Sequence, residues 1–212
     1  MKVGILGSGD VGKALARGFV KHGHEVCIGS RDPTKLSLFV KEVGSHACTG
    51  TFAEAAKFGE IVVLATLGTA TESVIALAGK ENFTGKIVID TTNPLDFSKG
   101  MPPSLFVGFN DSLGERIQKW LPHAHVVKAF NTVGNAHMVN PVFPNGPPTM
   151  FMCGNDANAK KRVGEIVQQF GFDLADIGGI QGARVLEPMC IGWVLYGAAN
   201  NTWNHAFKLL KK

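Results

Sequence analysis

Gly7, Ser8, Gly9, Asp10, Val11 and Gly12 form a G-x-G-x-x-G run. It follows an apolar stretch at residues 3–6 and opens a helical pattern, the placement in which such glycines do chemistry. The first glycine permits a tight turn, the second lets the backbone approach a diphosphate, and the third lets helix pack on strand. Free N–H groups and the positive helix end then attract the phosphates. The next strand-like segment ends in Gly29-Ser30-Arg31, with no carboxylate to accept from a free ribose hydroxyl. A guanidinium there suits a 2′-phosphate, gripped by Arg31, with Ser30 donating and Lys35 adding a contact one helical turn on. The cofactor expected is therefore NADP(H). For Asp32 two alternatives stand: it reaches the ribose, or it pairs with a lysine.

Three later strand ends complete the candidate set. They are Ala65-Thr66-Leu67-Gly68, Asp90-Thr91-Thr92-Asn93-Pro94 and Phe130-Asn131-Thr132-Val133-Gly134-Asn135. Of these, Ala65, Thr66, Leu67, Gly68, Asn93, Pro94, Asn131 and Asn135 are small, amide, hydroxyl or apolar residues suited to ribose and carboxamide groups. Asp90 is the one acid among them, and its place at a strand terminus favours a buried, hydrogen-bonded role. No general base and no catalytic residue is assigned. A site of this kind leaves the chemistry to the cofactor it holds.

The elements that must position these residues alternate along the chain. Strands are expected at 3–6, 25–28, 46–48, 61–65, 86–90 and 125–130, and helices at 12–22, 34–43, 51–58, 72–78 and 112–121. Alternation of this kind predicts βαβ units and a parallel sheet with right-handed crossovers. Residues 140–148 hold four prolines and read as an irregular connection. Two more strands at 149–153 and 172–177 flank a helix at 157–170. A final helical region is expected over 183–210, bent or broken at Pro188 and at Asn200-Asn201. The fold class is α/β: a Rossmann-type doubly wound, mostly parallel sheet with a small C-terminal α/β lobe ending in helices. Residues 1–134 are expected to form the dinucleotide-binding domain. Residues 135–212 would form the lobe that completes the acceptor site and offers a dimer interface.

The 212 residues are 45% apolar and 18% charged, which excludes disorder over most of the chain. A dispersed net charge of +4 allows anionic ligands but makes no basic stripe, so no nucleic-acid partner is expected. No apolar run reaches the roughly 18 residues of a membrane span, and no signal peptide is read at the N-terminus. Cys27, Cys48, Cys153 and Cys190 lie far apart, so the expected compartment is the cytoplasm. The pairs His22-x-His24 and His123-x-His125 lack further ligands at metal spacing, and no metal is assigned. Met189, Trp193, Tyr196 and Trp203 follow one helical face, which suits packing. The segments 96–110 and 140–148 read as lids or plain surface loops.

Taken in order, Gly7 to Gly12, Gly29-Ser30-Arg31, Asn93-Pro94-Leu95, Lys128-Ala129-Phe130-Asn131-Thr132 and Arg184-Val185-Leu186-Glu187 resemble the deazaflavin-dependent NADP oxidoreductase family. The oxidoreductase domain of STEAP metalloreductases is similar in kind. The resemblance spans nearly the whole chain. It implies hydride transfer between NADP(H) and a small-molecule acceptor, a flavin or deazaflavin stacked on the nicotinamide. It also implies a homodimer formed through the C-terminal helices. Two departures concern the acceptor: Asn131 stands where deazaflavin-using relatives carry a histidine, and residues 96–110 form a long insertion-like segment. Two alternatives remain. A pyrroline-carboxylate-reductase-like imine reductase should show an all-helical second half, against which the strands after residue 149 argue. A non-catalytic NADP(H)-binding sensor would present the same cofactor site.

Overall fold

The computed structural model describes residues 1–212. Six parallel strands come first: β1 Lys2–Leu6, β2 Glu25–Gly29, β3 Ala47–Gly50, β4 Ile61–Leu64, β5 Ile87–Asp90 and, later in the chain, β8 His125–Lys128. Between them run α1 Asp10–Lys21, α2 Ser37–Val43, α3 Phe52–Phe58, α4 Thr71–Ala78 and α5 Leu113–Trp120. The central strands are apolar on both faces because helices cover both, and β4 is buried at every position. Two strands follow, β9 Thr149–Gly154 and β10 Asp173–Asp176, linked by α6 Ala157–Gln169, and the long helix α7 Ala183–Asn200 comes last.

All eight of these strands join one sheet, in the order β10-β9-β8-β5-β4-β1-β2-β3. The order reverses between β1 and β4, and ligands of doubly wound sheets bind at such a switch point, beyond the strands' carboxyl ends. β9 pairs antiparallel to β8, with Lys128 opposite Cys153, and β10 runs parallel to β9. The residues after 135 thus extend the same sheet, and helices and strands continue to the start of α7.

Two expectations need correction. The final helical region breaks at Asn200-Asn201, as expected, but no helix resumes from there to residue 210. Asn201 takes a left-handed conformation (φ +47°), Thr202 N–H bonds back to the Gly197 carbonyl, and the helix stops there. Residues 202–212 instead fold back along α7 and β9. Trp193 Nε1 donates to the His205 carbonyl at 3.0 Å, and the Thr149 amide donates to the Phe207 carbonyl at 2.9 Å. Pro188 lies inside α7 without ending it. The segment 96–110 is likewise no plain loop. It carries a short antiparallel ribbon, β6 Leu95–Asp96 with β7 Ser104–Leu105.

The core forms two layers, one on each sheet face. One gathers Phe19, Phe130, Phe170 and Phe172 beneath α1 and α6. The other gathers Phe52, Phe83, Leu113 and Ile117 beneath α3, α4 and α5. Between the second layer and the strand ends sits a cluster of three charges, Lys128, Asp90 and Glu187, each with a side chain 0% exposed. Lys128 Nζ lies 2.6 Å from Asp90 Oδ2 and 3.1 Å from Glu187 Oε1, and donates to the Thr92 carbonyl at 2.9 Å. Asp90 Oδ1 accepts from the amide and hydroxyl of Thr92. Glu187 accepts from the amides of Leu113 and Gly114, the first turn of α5. A buried charge is tolerated only when paired and hydrogen-bonded, and here each one is. Replacing Lys128 by Met should strand two buried carboxylates and lower stability by about 3–5 kcal/mol. Chemical denaturation checks this, and a loss near zero would mean that the cluster is neutralised some other way.

Candidate functional site

The glycine turn connects β1 to α1. Gly7 has φ +132°, and a Cβ there would collide with the Ala65 carbonyl. A Cβ on Gly12 would collide with the Gly7 carbonyl. The protein's own packing therefore explains the first and third glycines. Gly9 is different: a Cβ on it would meet nothing within 4 Å. Gly9 is also the N-cap of α1 and offers no side chain to the first-turn amides. The turn thus presents free N–H donors and open backbone at the positive end of a helix, a cradle for a diphosphate.

β2 brings Ser30 against this turn, its hydroxyl 3.4 Å from that of Ser8 and accepting from the Asp32 amide at 3.2 Å. Arg31 is exposed and makes no hydrogen bond or ion pair within the chain. In this structure Asp32 makes the lysine contact. Its carboxylate accepts from the amide and hydroxyl of Thr34, capping the 3₁₀ turn Pro33–Leu36, and lies 3.7 Å from Lys35 Nζ. The Thr34 hydroxyl holds that carboxyl below its ordinary range, with Lys35 assisting. Asp32 is thus the partner of Lys35 and leaves Arg31 free.

The other strand ends lock together. Gly68 fits so closely on the Asn93 carbonyl that a Cβ would collide with it. Thr66 and Thr71 share a hydroxyl contact of 2.9 Å, while Leu67 projects outward. Asn93 Nδ2 donates to the Asn131 carbonyl at 2.9 Å, and Asn131 Nδ2 donates to Asn93 Oδ1 at 3.0 Å and to the Leu186 carbonyl at 2.8 Å. Asn131 Oδ1 is buried and has no partner. Phe130, just before it, has φ +63°, rare for a bulky residue. That turn directs Phe130 into the core and ends β8, which is why the strand stops short of the expected residue 130. Asn135 starts a 3₁₀ turn and is exposed, with no side-chain partner. The sequence-selected residues therefore form one rim: turn 7–12 with Ser30, Gly7 with Ala65, Gly68 with Asn93, and Asn93 with Asn131. Lys35 and Asn135 stand at its edges.

Sequence reasoning gave Lys128 and Glu187 no role. Their signal was a lysine inside the apolar run His125-Val126-Val127-Lys128-Ala129-Phe130 and a lone glutamate in an apolar helix. Burial opposes charge on Lys128, yet Asp90 and Glu187 outweigh it and hold the ammonium well above its ordinary value. Burial, helped by the neighbouring Asp90 charge, holds the Glu187 carboxyl above its ordinary value against the opposing pull of Lys128 and the two amides. Beside this cluster, between the β6–β7 ribbon and α7, lies a cleft of about 280 Å³ lined by Leu105, Val107, Phe109, Arg184 and Pro188 among others. Arg184 is held at its mouth by a bidentate pair with Glu115, at 2.8 and 2.6 Å. A second cavity, about 430 Å³ around His125 and Asp156, lies at the opposite end of β8. Of the histidine pairs, His22 stacks on Phe170 and His24 meets Gln169 at 3.3 Å, while His123 and His125 are exposed and His125 lies 3.6 Å from Asp156.

Comparison with known proteins agrees with this geometry. The family model described as NADP oxidoreductase, coenzyme F420-dependent, matches residues 2–94. A crystal structure from Arthrobacter sp. FB24, assigned as an F420-dependent NADP-reductase, is 40% identical, with a TM-score of 0.95 and full coverage of both chains. The F420-dependent NADP reductase of Methanothermobacter marburgensis is 29% identical over 201 residues, 89% of each chain. Metalloreductase STEAP3 of Rattus norvegicus is 30% identical over 189 residues, 89% of this chain, but this chain spans only 36% of that protein's length. From the fold, the strand-end rim and a full-length likeness at 40% identity, the chain belongs to the F420-dependent NADP oxidoreductase family.

Proposed function

We propose that this protein is an NADP(H)-dependent oxidoreductase that moves a hydride between NADPH and a flavin- or deazaflavin-like acceptor. The observation that carries the reading is Arg31, a cation without an internal partner at the end of β2, beside Ser30, Ser8 and the open backbone at Gly9. When bound, the nicotinamide supplies the hydride chemistry. The residues present fit such a group. Amides of Ser8 to Gly12 hold the diphosphate, and Ser30 and Arg31, with Lys35 beside them, hold the 2′-phosphate. Ala65 to Gly68, Asn93, Pro94 and Asn135 face the ribose and nicotinamide end. Asn131, itself buried, holds Asn93 in place at that end through two hydrogen bonds. No side chain at the rim is set up as an acid or base, and the protein's task is to orient and to exclude water.

The acceptor side rests on the cleft walled by Leu105, Val107, Phe109 and Pro188, whose apolar surfaces suit a flat ring. The names of the full-length relatives favour a deazaflavin there. In this reading residues 1–134 carry the nucleotide. Residues 135–212 complete the acceptor side, because Leu186 and Glu187 reach back to Asn131 and Lys128. No helix is long and apolar enough to cross a membrane. Four free cysteines fit a reducing compartment, the cytoplasm. A homodimer is supported by α7, whose outer stripe of Val185, Gly192, Leu195, Tyr196 and Ala199 is exposed and free of charge.

Three outcomes test these readings. Arg31→Ala should weaken NADPH binding roughly ten- to a hundredfold, the worth of one charge-assisted hydrogen bond of about 1.5–3 kcal/mol, and leave NADH binding nearly unchanged by calorimetry. Equal losses for both cofactors would refute the phosphate role. Gly9→Ala should change stability by less than about 1 kcal/mol in thermal denaturation yet weaken binding of both dinucleotides. Undiminished binding would remove the diphosphate from this turn. Sedimentation equilibrium should give twice the chain mass for the unmodified protein and the chain mass for Leu195→Glu/Tyr196→Glu. An unmodified protein sedimenting as a monomer would end the dimer reading.

A further inference from the structure

Cys27 and Cys48 take no part in the site above. They stand directly opposite each other in the parallel strands β2 and β3. Residues so paired project to the same face of a sheet. Neighbouring strands lie about 4.7–4.9 Å apart, within the roughly 4.4–6.8 Å of Cα separation that a disulfide spans. The two sulfurs differ sharply in surroundings. Cys27 is buried, in one apolar layer with Leu6, Phe52 and Ala55, whereas Cys48 is exposed on the sheet's edge strand. Burial pushes the Cys27 thiol up, and its hydrogen bond with Cys48 pushes it further. Cys48 is therefore the sulfur that meets a reagent from solvent first.

We propose that Cys27 and Cys48 are a redox-active pair that closes to a reversible cross-strand disulfide when a peroxide reaches the β3 edge. The Cys48 thiolate attacks a peroxide oxygen. The S–O bond forms as the O–O bond breaks, and the departing hydroxide is protonated to water. Cys27 sulfur then attacks Cys48 sulfur, its proton passing to the departing oxygen. The S–S bond forms as the S–O bond breaks, and the second oxygen leaves as water. Two thiols lose two electrons and two protons, and the peroxide is reduced to two waters. The bridge would lie two residues before the Gly29–Gly50 pair. Just past that pair, the Ser30 amide donates to the Gly50 carbonyl at 3.0 Å and Thr49 Oγ1 reaches the Pro33 carbonyl at 3.4 Å. It would therefore clamp the strands that support the Ser30–Arg31 tip. The inference does not depend on which ligand that tip holds.

The test uses the full chain, treated with excess hydrogen peroxide, alkylated under denaturing conditions and mapped by non-reducing peptide mass spectrometry. The expected result is one linked peptide pair containing Cys27 and Cys48, lighter by two hydrogen atoms. Cys153 and Cys190 should be alkylated, and all four thiols should return after dithiothreitol. Cys48→Ser, on the exposed edge, should leave Cys27 fully alkylated after the same treatment. Four intact thiols after peroxide would overturn the proposal. So would Cys48 carried to a sulfinic acid with Cys27 still alkylated, a bridge to Cys153 or Cys190, or a Cys48–Cys48 bridge between molecules.

Discussion

Three side chains with no exposed surface, Lys128, Asp90 and Glu187, decide how the strand ends meet. A buried ammonium between two carboxylates has little freedom, since each lost contact leaves a charge without solvent. Asp90 and Lys128 close on Thr92 from two sides, and Thr92 precedes Asn93. Glu187 sits next to Leu186, whose carbonyl holds Asn131. The cluster therefore ties β5, β8, α5 and α7 at one level. Well-packed apolar residues could supply similar stability. What the three charges add is direction, because each hydrogen bond fixes an angle as well as a distance.

Around that anchor the rim is built from close backbone approaches. Gly7 lies on Ala65, Gly12 on Gly7 and Gly68 on Asn93, each so near that a side chain could not be inserted. Such contacts leave amides and carbonyls as the working surface. A surface of that kind suits phosphates, ribose and a carboxamide, and it leaves the redox step to a bound ring system.

The parts legible in the sequence were local ones. The glycine turn, the apolar strands and the missing carboxylate at residues 29–31 each lie within a few neighbours, so period and spacing expose them. The ion cluster was not legible, because Asp90 and Lys128 stand 38 positions apart and Glu187 farther still. Lys128 showed only as a charge in a strand. The β6–β7 ribbon was hidden because two-residue strands carry no alternation to read. The Asn200-Asn201 break that ends α7 is legible, but residues 202–210 read as further helix because they keep apolar and aromatic character for another reason: they pack back on Trp193 and β9.

The reversed direction of β9 gives the rim two unlike ends. Only Cys153 and Gly154 pair with β8, so Thr149 to Met152 stand beyond its last paired residue, and Met150 sulfur accepts from the Phe130 amide there. They continue the sheet past the end of β8 on one side, whereas β3 at the other edge ends level with β2. An elongated ligand laid across the switch point would have one end wetted and the other sheltered. A reduced ring at the sheltered end would be guarded from water and stray oxidants, and the handle by which the enzyme holds it would stay open to exchange.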